Sequence, residues 1–259
     1  MPEAVSRFDE VAEDYDSQFT FSLLGSLMRE AVWRKVRARL QAGQYFLELN
    51  CGTGEDAVWL ANQRVRVLAT DASMKMVEMA LRKVAAARLT HSVEVRQLSL
   101  EHLADLPGSG FDGVLSNFGG MNCMGDYRAV GRELAARLRP GACAFFCVMG
   151  PVCLWEWIWF LAQGKPRKAF RRLAPGGAEW SGMRIYYPSI REFVRAFQPG
   201  FRLVQATAIG ALLPPPYTEE WARTKPRFIG FLNRWERKLE NVTPLPSLAD
   251  HYLLELTRR

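Results

Sequence analysis

The stretch YFLELNCGTGEDAVWLA, Tyr45 to Ala61, sets an apolar strand, a glycine turn and the start of a helix end to end. A strand-turn-helix unit of this kind belongs in an open α/β sheet. There, the turn after the first strand opens at the carboxyl edge, where strand order reverses and ligands bind. Gly52-Thr53-Gly54-Glu55-Asp56-Ala57 fits the loose G-x-G-x-x-G/A dinucleotide pattern. A diphosphate, however, needs the positive N-terminal end of the helix, and Glu55 and Asp56 already occupy that first turn. The turn therefore favours an adenosine cofactor without a diphosphate. Glu48, near the end of the strand, offers a carboxylate to a cation or ammonium group. Asn50 stands where a positive φ is needed, and asparagine tolerates that conformation better than other non-glycine residues. Asp71, closing the next strand, is placed to accept hydrogen bonds from ribose hydroxyls, a use that NAD enzymes share.

The rest of the chain repeats the rhythm. Leu23, Leu27, Trp33, Val36 and Leu40 form a helical apolar stripe ended by Gly43. Strands are expected at Tyr45 to Leu49, Val65 to Thr70, Val93 to Leu98, Phe111 to Asn117 and Ala142 to Met149. Helices lie between them, one N-capped by Ser73 and another stopped by Pro140-Gly141. Strands alternating with helices argue for a parallel sheet covered on both faces. After Gly150-Pro151 come an aromatic segment, a helix near Ser189 to Phe197, a strand at Phe201 to Ile209, a helix to Glu240 and a strand at His251 to Leu256. The last two strands are close to a hairpin with a helix inserted.

These pieces together resemble class I S-adenosylmethionine-dependent methyltransferases of the small-molecule branch. The glycine turn resembles their first motif, ATDASMKMVEMA the second, FDGVLSNF the fourth and LRPGACAFF the turn into the fifth strand. RFDEVAEDYD resembles their lead-in helix, and the likeness covers roughly residues 5–150. It implies a Rossmann-like, doubly wound α/β fold: a seven-stranded sheet, mostly parallel with an antiparallel last strand, plus a helical lid inserted after strand 5. The whole chain 1–259 is then one domain, with a lead-in at 1–43, a cofactor core at 44–150, a lid at 151–188 and the end of the sheet at 189–259. S-adenosyl-L-methionine is the implied cofactor. Its expected contacts are Glu48, Asn50, Cys51, Gly52 and Gly54 from the first motif and Asp71, Ala72 and Met76 from the second. Ser99, Leu100 and Asn117 complete the set, with Ser99 standing where the family often has an acid.

Methyl transfer asks for orientation and exclusion of water. Tyr15 and Asn117 are expected to position the acceptor, and no residue announces itself as a general base. Phe118, Asn122, Trp155, Trp157, Trp159 and Tyr186 are the candidate acceptor contacts. Trp155, Trp157, Trp159 and Phe160 cannot share one helical face, which suggests a lid over an apolar or amphipathic small molecule. The lesser alternative is an interfacial patch, with Lys165, Arg167, Lys168, Arg171 and Arg172 toward anionic lipid. His91, His102 and His251 read as structural.

Composition closes off other classes. The uncharged run Gly141 to Trp155 is too short for a bilayer, and the charged N-terminus is unlike a signal peptide. The expected location is cytoplasmic. The five cysteines lack a CxxC pair or zinc-compatible histidine spacing, so no metal is expected. The formal charge of +7 allows an anionic partner without requiring one. Asn117-Phe118-Gly119-Gly120 lacks the prolines of enzymes that methylate base amines, so no nucleic acid is expected. A monomer or homodimer is expected. The rivals are an NAD(P)-linked oxidoreductase, a non-catalytic S-adenosylmethionine-binding protein and a basic RNA methyltransferase.

Overall fold

A computed structural model describes residues 8–9, 12–13, 15–180 and 182–259, and the side chain of Trp180 lies outside that description. The chain runs through α1 (Leu23–Arg37), β1 (Tyr45–Leu49), α2 (Glu55–Asn62), β2 (Arg66–Asp71), α3 (Met74–Ala86) and β3 (Val93–Gln97). It continues through β4 (Phe111–Ser116), α4 (Tyr127–Arg137), β5 (Leu138–Met149), α5 (Leu154–Ala162) and α6 (Pro166–Ala169). A small hairpin, β6 (Ala178–Trp180) and β7 (Met183–Ile185), precedes α7 (Ile190–Phe197) and β8 (Phe201–Ile209). Then follow α8 (Glu219–Arg223), α9 (Pro226–Leu239) and β9 (His251–Arg258).

Seven strands form one sheet in the order β3-β2-β1-β4-β5-β9-β8. β1 lies parallel to both β2 and β4, which makes its end the switch point of strand order. β9 runs antiparallel to β5 and β8, as expected of the last strand. Met149 pairs with His251, so the start of β9 reaches the same edge as the carboxyl ends of the parallel strands.

Alternation along the strands divides the core. Leu47 and Leu49 face a layer built with Val130, Leu134, Phe193 and Phe197 from α4 and α7. Phe46 faces the opposite layer, with Val32 and Val36 of α1 and Ala57 and Leu60 of α2. Each fully buried side chain of this size stabilises the fold by about 1.5–3 kcal/mol. No helix among the described residues is long and apolar enough to cross a membrane.

Three local expectations are corrected. α1 buries Leu24, Met28, Arg29, Val32 and Val36 rather than the Leu23-Leu27-Trp33 stripe. Leu23 and Leu27 instead pack at a small cluster with Leu213, Ala222 and Ile229. The helix is contacted on two sides, so its apolar residues serve two layers. Pro140-Gly141 does not separate α4 from β5, because β5 already starts at Leu138 and Gly141 takes φ +83° within it. The expected helix to Glu240 is two helices, parted where Pro226 removes a backbone donor.

Candidate functional site

The turn after β1 is held open by backbone geometry. Asn50 has φ +53°, as its residue type suggested, and its amide donates to Ser116 Oγ at 3.2 Å. Gly52 has φ +52°, and a Cβ built there meets nothing within 4 Å among the described residues. That open space belongs to a cavity of about 360 Å³ at the carboxyl edge of the sheet. The size is within the range of small-molecule sites. Gly54 does something different. It has φ +81°, and a Cβ there would lie 2.9 Å from Ala80 Cβ, so the glycine lets α2 approach α3. Gly54 is not on the cavity wall.

Asp71 stands beneath the turn and joins two elements. Its Oδ2 accepts from the Gly52 amide and its Oδ1 from the Ser73 amide, each at 2.9 Å. Burial pushes its carboxyl above the ordinary range despite those donors. The carboxylate therefore fixes the turn and also lines the cavity. Ser73 itself caps α3, accepting from Met76 N at 3.1 Å. Asp9, from the lead-in, accepts from Ser73 Oγ at 2.5 Å.

The acidic pair at the start of α2 is neutralised within the protein. Glu55 pairs with Lys83 at 2.9 Å, and Lys83 also binds Asp16 at 2.7 Å. Asp16 accepts from Thr53 Oγ1 at 2.6 Å. Lys83 and Thr53 hold the Asp16 carboxyl below its ordinary range, although burial opposes them. Asp56 pairs with buried Arg29 and accepts from the Trp33 indole. The Asn117 amide donates to both Asp56 oxygens at 3.2 and 3.3 Å. Charge repulsion is thus a weaker bar to a diphosphate than the sequence suggested, because both carboxylates already have cations.

The structure brings most of the expected residues together. Asn50, Cys51 and Gly52 line the cavity with Asp71, Ala72 and Met76. Ser99 and Leu100 border it from the segment after β3, and Ser99 Oγ is 2.9 Å from His102 Nδ1. Asn117, Phe118 and Tyr15 supply another wall. Burial pushes the Tyr15 phenol up to about 12, so it keeps its proton at neutral pH and can donate a hydrogen bond.

Other expected contacts lie elsewhere. Glu48 is buried within β1, near Asp56 and Arg29, and is not itself on the cavity wall. Burial pushes its carboxyl well above the ordinary range, and its Oε2 has no partner among the described residues. Asn122 is fully buried, with its amide spent on backbone: it donates to Met149 O and Tyr186 O and accepts from Met149 N. It staples the end of β5 to the segment after β7. Tyr186 packs beside Gly125, off the cavity.

The tryptophans correct the lid expectation. Trp155 donates to Leu212 O at 2.8 Å and, like Trp159, meets the Trp221 ring. Trp157 packs on Phe170. None of the three lines the cavity. Their rings find partners in α8 and the turn after α6, contacts made between segments distant in sequence.

Residues missed in the sequence include Arg29, Thr53 and Asp56 on the cavity wall, with Phe8 from the lead-in, and His102, expected to be structural, also lines it. Arg29 gave one signal: it sits inside the apolar spacing of α1, where an arginine needs a buried partner. A second buried network lies next to the cavity. Arg172 binds Glu156 and Asp250, and Asp250 Oδ2 is 3.1 Å from His251 Nδ1. His251 meets the Phe118 ring edge-on at 5.4 Å. His251 is therefore structural as expected of it, one ring removed from the cavity.

Known proteins are similar to parts of this chain and to its fold. The family described as "Methyltransferase domain" matches residues 46–141. A demethylmenaquinone methyltransferase of Lactobacillus johnsonii is 31% identical over 139 residues, which is 51% of this chain and 55% of that protein. The O-methyltransferase resE of Aspergillus sclerotiorum is 33% identical over 120 residues, 44% of this chain and 43% of that protein. The chain spans about half the length of the curated relatives it matches. Among solved structures, an S-adenosylmethionine dependent methyltransferase from Mesorhizobium loti superposes with a TM-score of 0.56 at 18% identity, covering 90% of this chain and 100% of that one.

Proposed function

We propose that this chain, whose residues 46–141 match a methyltransferase domain, is a class I S-adenosylmethionine-dependent methyltransferase that transfers a methyl group to a small apolar or amphipathic acceptor. The residues present fit that cofactor. Space that a Cβ at Gly52 would fill is open to the ligand, and Asp71 sits beside it with a second lone pair on each oxygen. The Asn117 side-chain oxygen is buried on the wall of the cavity without a partner among the described residues. That orphaned acceptor, lining the same cavity as the Asp71 carboxylate, carries the reading.

Asp71 would hold the ribose hydroxyls, and the Ser99-Leu100 segment with Met76 would enclose the base. Once bound, the cofactor supplies an electrophilic methyl carbon to a nucleophilic acceptor. Tyr15 orients the acceptor by donating a hydrogen bond, and Asn117 is held in place by Asp56. Phe118 and Phe8 exclude water, which strengthens these contacts. The apolar acceptor agrees with an aromatic wall, and the names of the relatives, one for demethylmenaquinone and one an O-methyltransferase, agree with a small molecule.

Calorimetric titration with S-adenosylhomocysteine and with NAD tests the cofactor. Binding of the first and not the second is expected. NAD binding without S-adenosylhomocysteine binding overturns the reading.

A further inference from the structure

α9 presents apolar residues on two sides. Ile229 and Leu232 pack inward against the cluster around Leu24 and Leu213. Glu236 also faces inward, where its carboxylate accepts from the amides of Ala211, Leu212 and Leu213. On the outer side Phe228, Phe231 and Trp235 are spaced i, i+3, i+7, a single stripe. Phe231 is 47% exposed and Trp235 44%.

The stripe continues beyond α9. Phe228 meets Trp221, and Trp221 meets Trp159 and Trp155 of α5. Beside them, Ile158 is 62% exposed, and Leu161, Phe170 and Leu173 are also open to solvent. Phe160 stacks on exposed Tyr217 at 5.5 Å. Ring contacts thus tie α5, the turn after α6, α8 and α9 into one apolar surface, and patches of this kind on a folded chain mark interaction sites.

Charge selects the partner. From Lys165 to Arg172 there are five basic residues and no acid. From Arg223 to Lys238 there are six basic residues and one acid, Glu236, which is buried beneath the helix. Lys238 Nζ lies over the Trp235 ring at 5.1 Å, so cation and aromatic occupy the same ground. Three of these basic residues are paired within the chain: Arg172 is buried on Glu156 and Asp250 rather than turned outward as the sequence suggested, Arg171 also binds Glu156, and Arg223 binds Glu219. Exposed Trp, Phe, Leu and Ile among Lys and Arg is the composition of a surface that lies in a lipid interface, with rings among the headgroups and basic side chains reaching the anionic phosphates. A second copy on this face would oppose two basic surfaces. A nucleic acid would leave Ile158, Leu161 and Leu173 without an apolar partner.

We propose that the face formed by α5, the α6 turn, α8 and α9 docks on an anionic lipid bilayer. This reading stands apart from methyl transfer. It also places the bilayer next to the buried Arg172-Asp250-His251 network, whose last member touches Phe118 on the cavity wall.

Co-sedimentation of the full chain with vesicles tests it, using phosphatidylcholine alone and phosphatidylcholine mixed with phosphatidylglycerol. Binding is expected only with the anionic lipid, and weaker in high salt. Phe231→Ser/Trp235→Ser and Arg234→Glu/Lys238→Glu should each weaken vesicle binding by roughly tenfold or more. Their S-adenosylhomocysteine affinity should stay unchanged, which separates this test from that of the cofactor. Equal binding to both vesicles, no binding to either, or unaltered binding by both variants overturns the proposal. So does a dimer, or binding to single-stranded RNA, that the same variants abolish while vesicles remain unbound.

Discussion

The Arg29 guanidinium of α1 and the Asp56 carboxylate of α2 form an ion pair whose side chains are only 7% and 5% exposed. The pair joins a helix that precedes the sheet to the helix that follows the glycine turn. Trp33 and Asn117 add hydrogen bonds to the same carboxylate, and Arg29 also lies 5.2 Å from the Phe118 ring centroid. One buried charge cluster thus sets the position of a cavity wall.

Removing one member should be costly. Arg29→Met leaves Asp56 buried without its cation, and loss of about 3–5 kcal/mol of stability is expected. Urea unfolding of the variant measures this. A loss below about 1 kcal/mol would show that solvent or another cation compensates Asp56.

Substitutions at two residues separate cofactor binding from folding. Asp71→Ala should weaken S-adenosylhomocysteine binding by about 1.5–3 kcal/mol, the range for hydrogen bonds to a charged group. Asp71→Asn, which keeps one acceptor oxygen, should fall between. Gly52→Ala places a methyl group in open cavity space, at a φ that costs about 1–2 kcal/mol in stability. It should remain folded and lose cofactor binding. Calorimetry paired with thermal melts reads both quantities, and a folded Gly52→Ala variant with unchanged affinity would move the cofactor elsewhere.

Glu48 makes stability depend on pH. In the folded chain burial raises its carboxyl well above the ordinary value. Above about pH 4.3 the unfolded chain has released this proton while the folded chain still holds it. The unfolded state then binds fewer protons, so stability falls as pH rises through that window, by up to roughly 1.4 kcal/mol per unit. Glu48→Gln carries no such proton. Its stability relative to the parent should increase as pH rises above about 4.3, until the folded carboxyl itself ionises, as read in urea titrations. A constant difference would mean that Glu48 ionises freely in the fold.

Trp155 gives a contrasting expectation. Trp155→Phe removes the hydrogen bond to Leu212 O but keeps much of the packing on Trp221. A loss of about 0.5–1.5 kcal/mol is expected, with the acceptor KM and cofactor affinity unchanged. A raised acceptor KM would restore the lid that the sequence suggested.

What was legible in the chain was local. The glycine spacing, the Asn50 conformation, the Ser73 cap and the apolar strand periods are properties of a few neighbouring residues, and backbone sterics fix them wherever the segment is placed. The order of elements carried the parallel sheet, and with it the location of the cavity beyond β1. Partners across the fold were not legible. Arg29 and Asp56 are 27 residues apart, and Arg172 and Asp250 are 78 apart. Nothing in either sequence neighbourhood names the other, because buried charges are paired by the packing of helices onto the sheet. Glu48 is buried near Asp56 and Arg29, off the cavity wall, which only the packing of α1 and α2 on β1 decides. The aromatic run of α5 was visible as an excess that one helix face could not hide. Only the tertiary structure decided that Trp221 takes two of its rings and that the remainder of the apolar surface stays exposed.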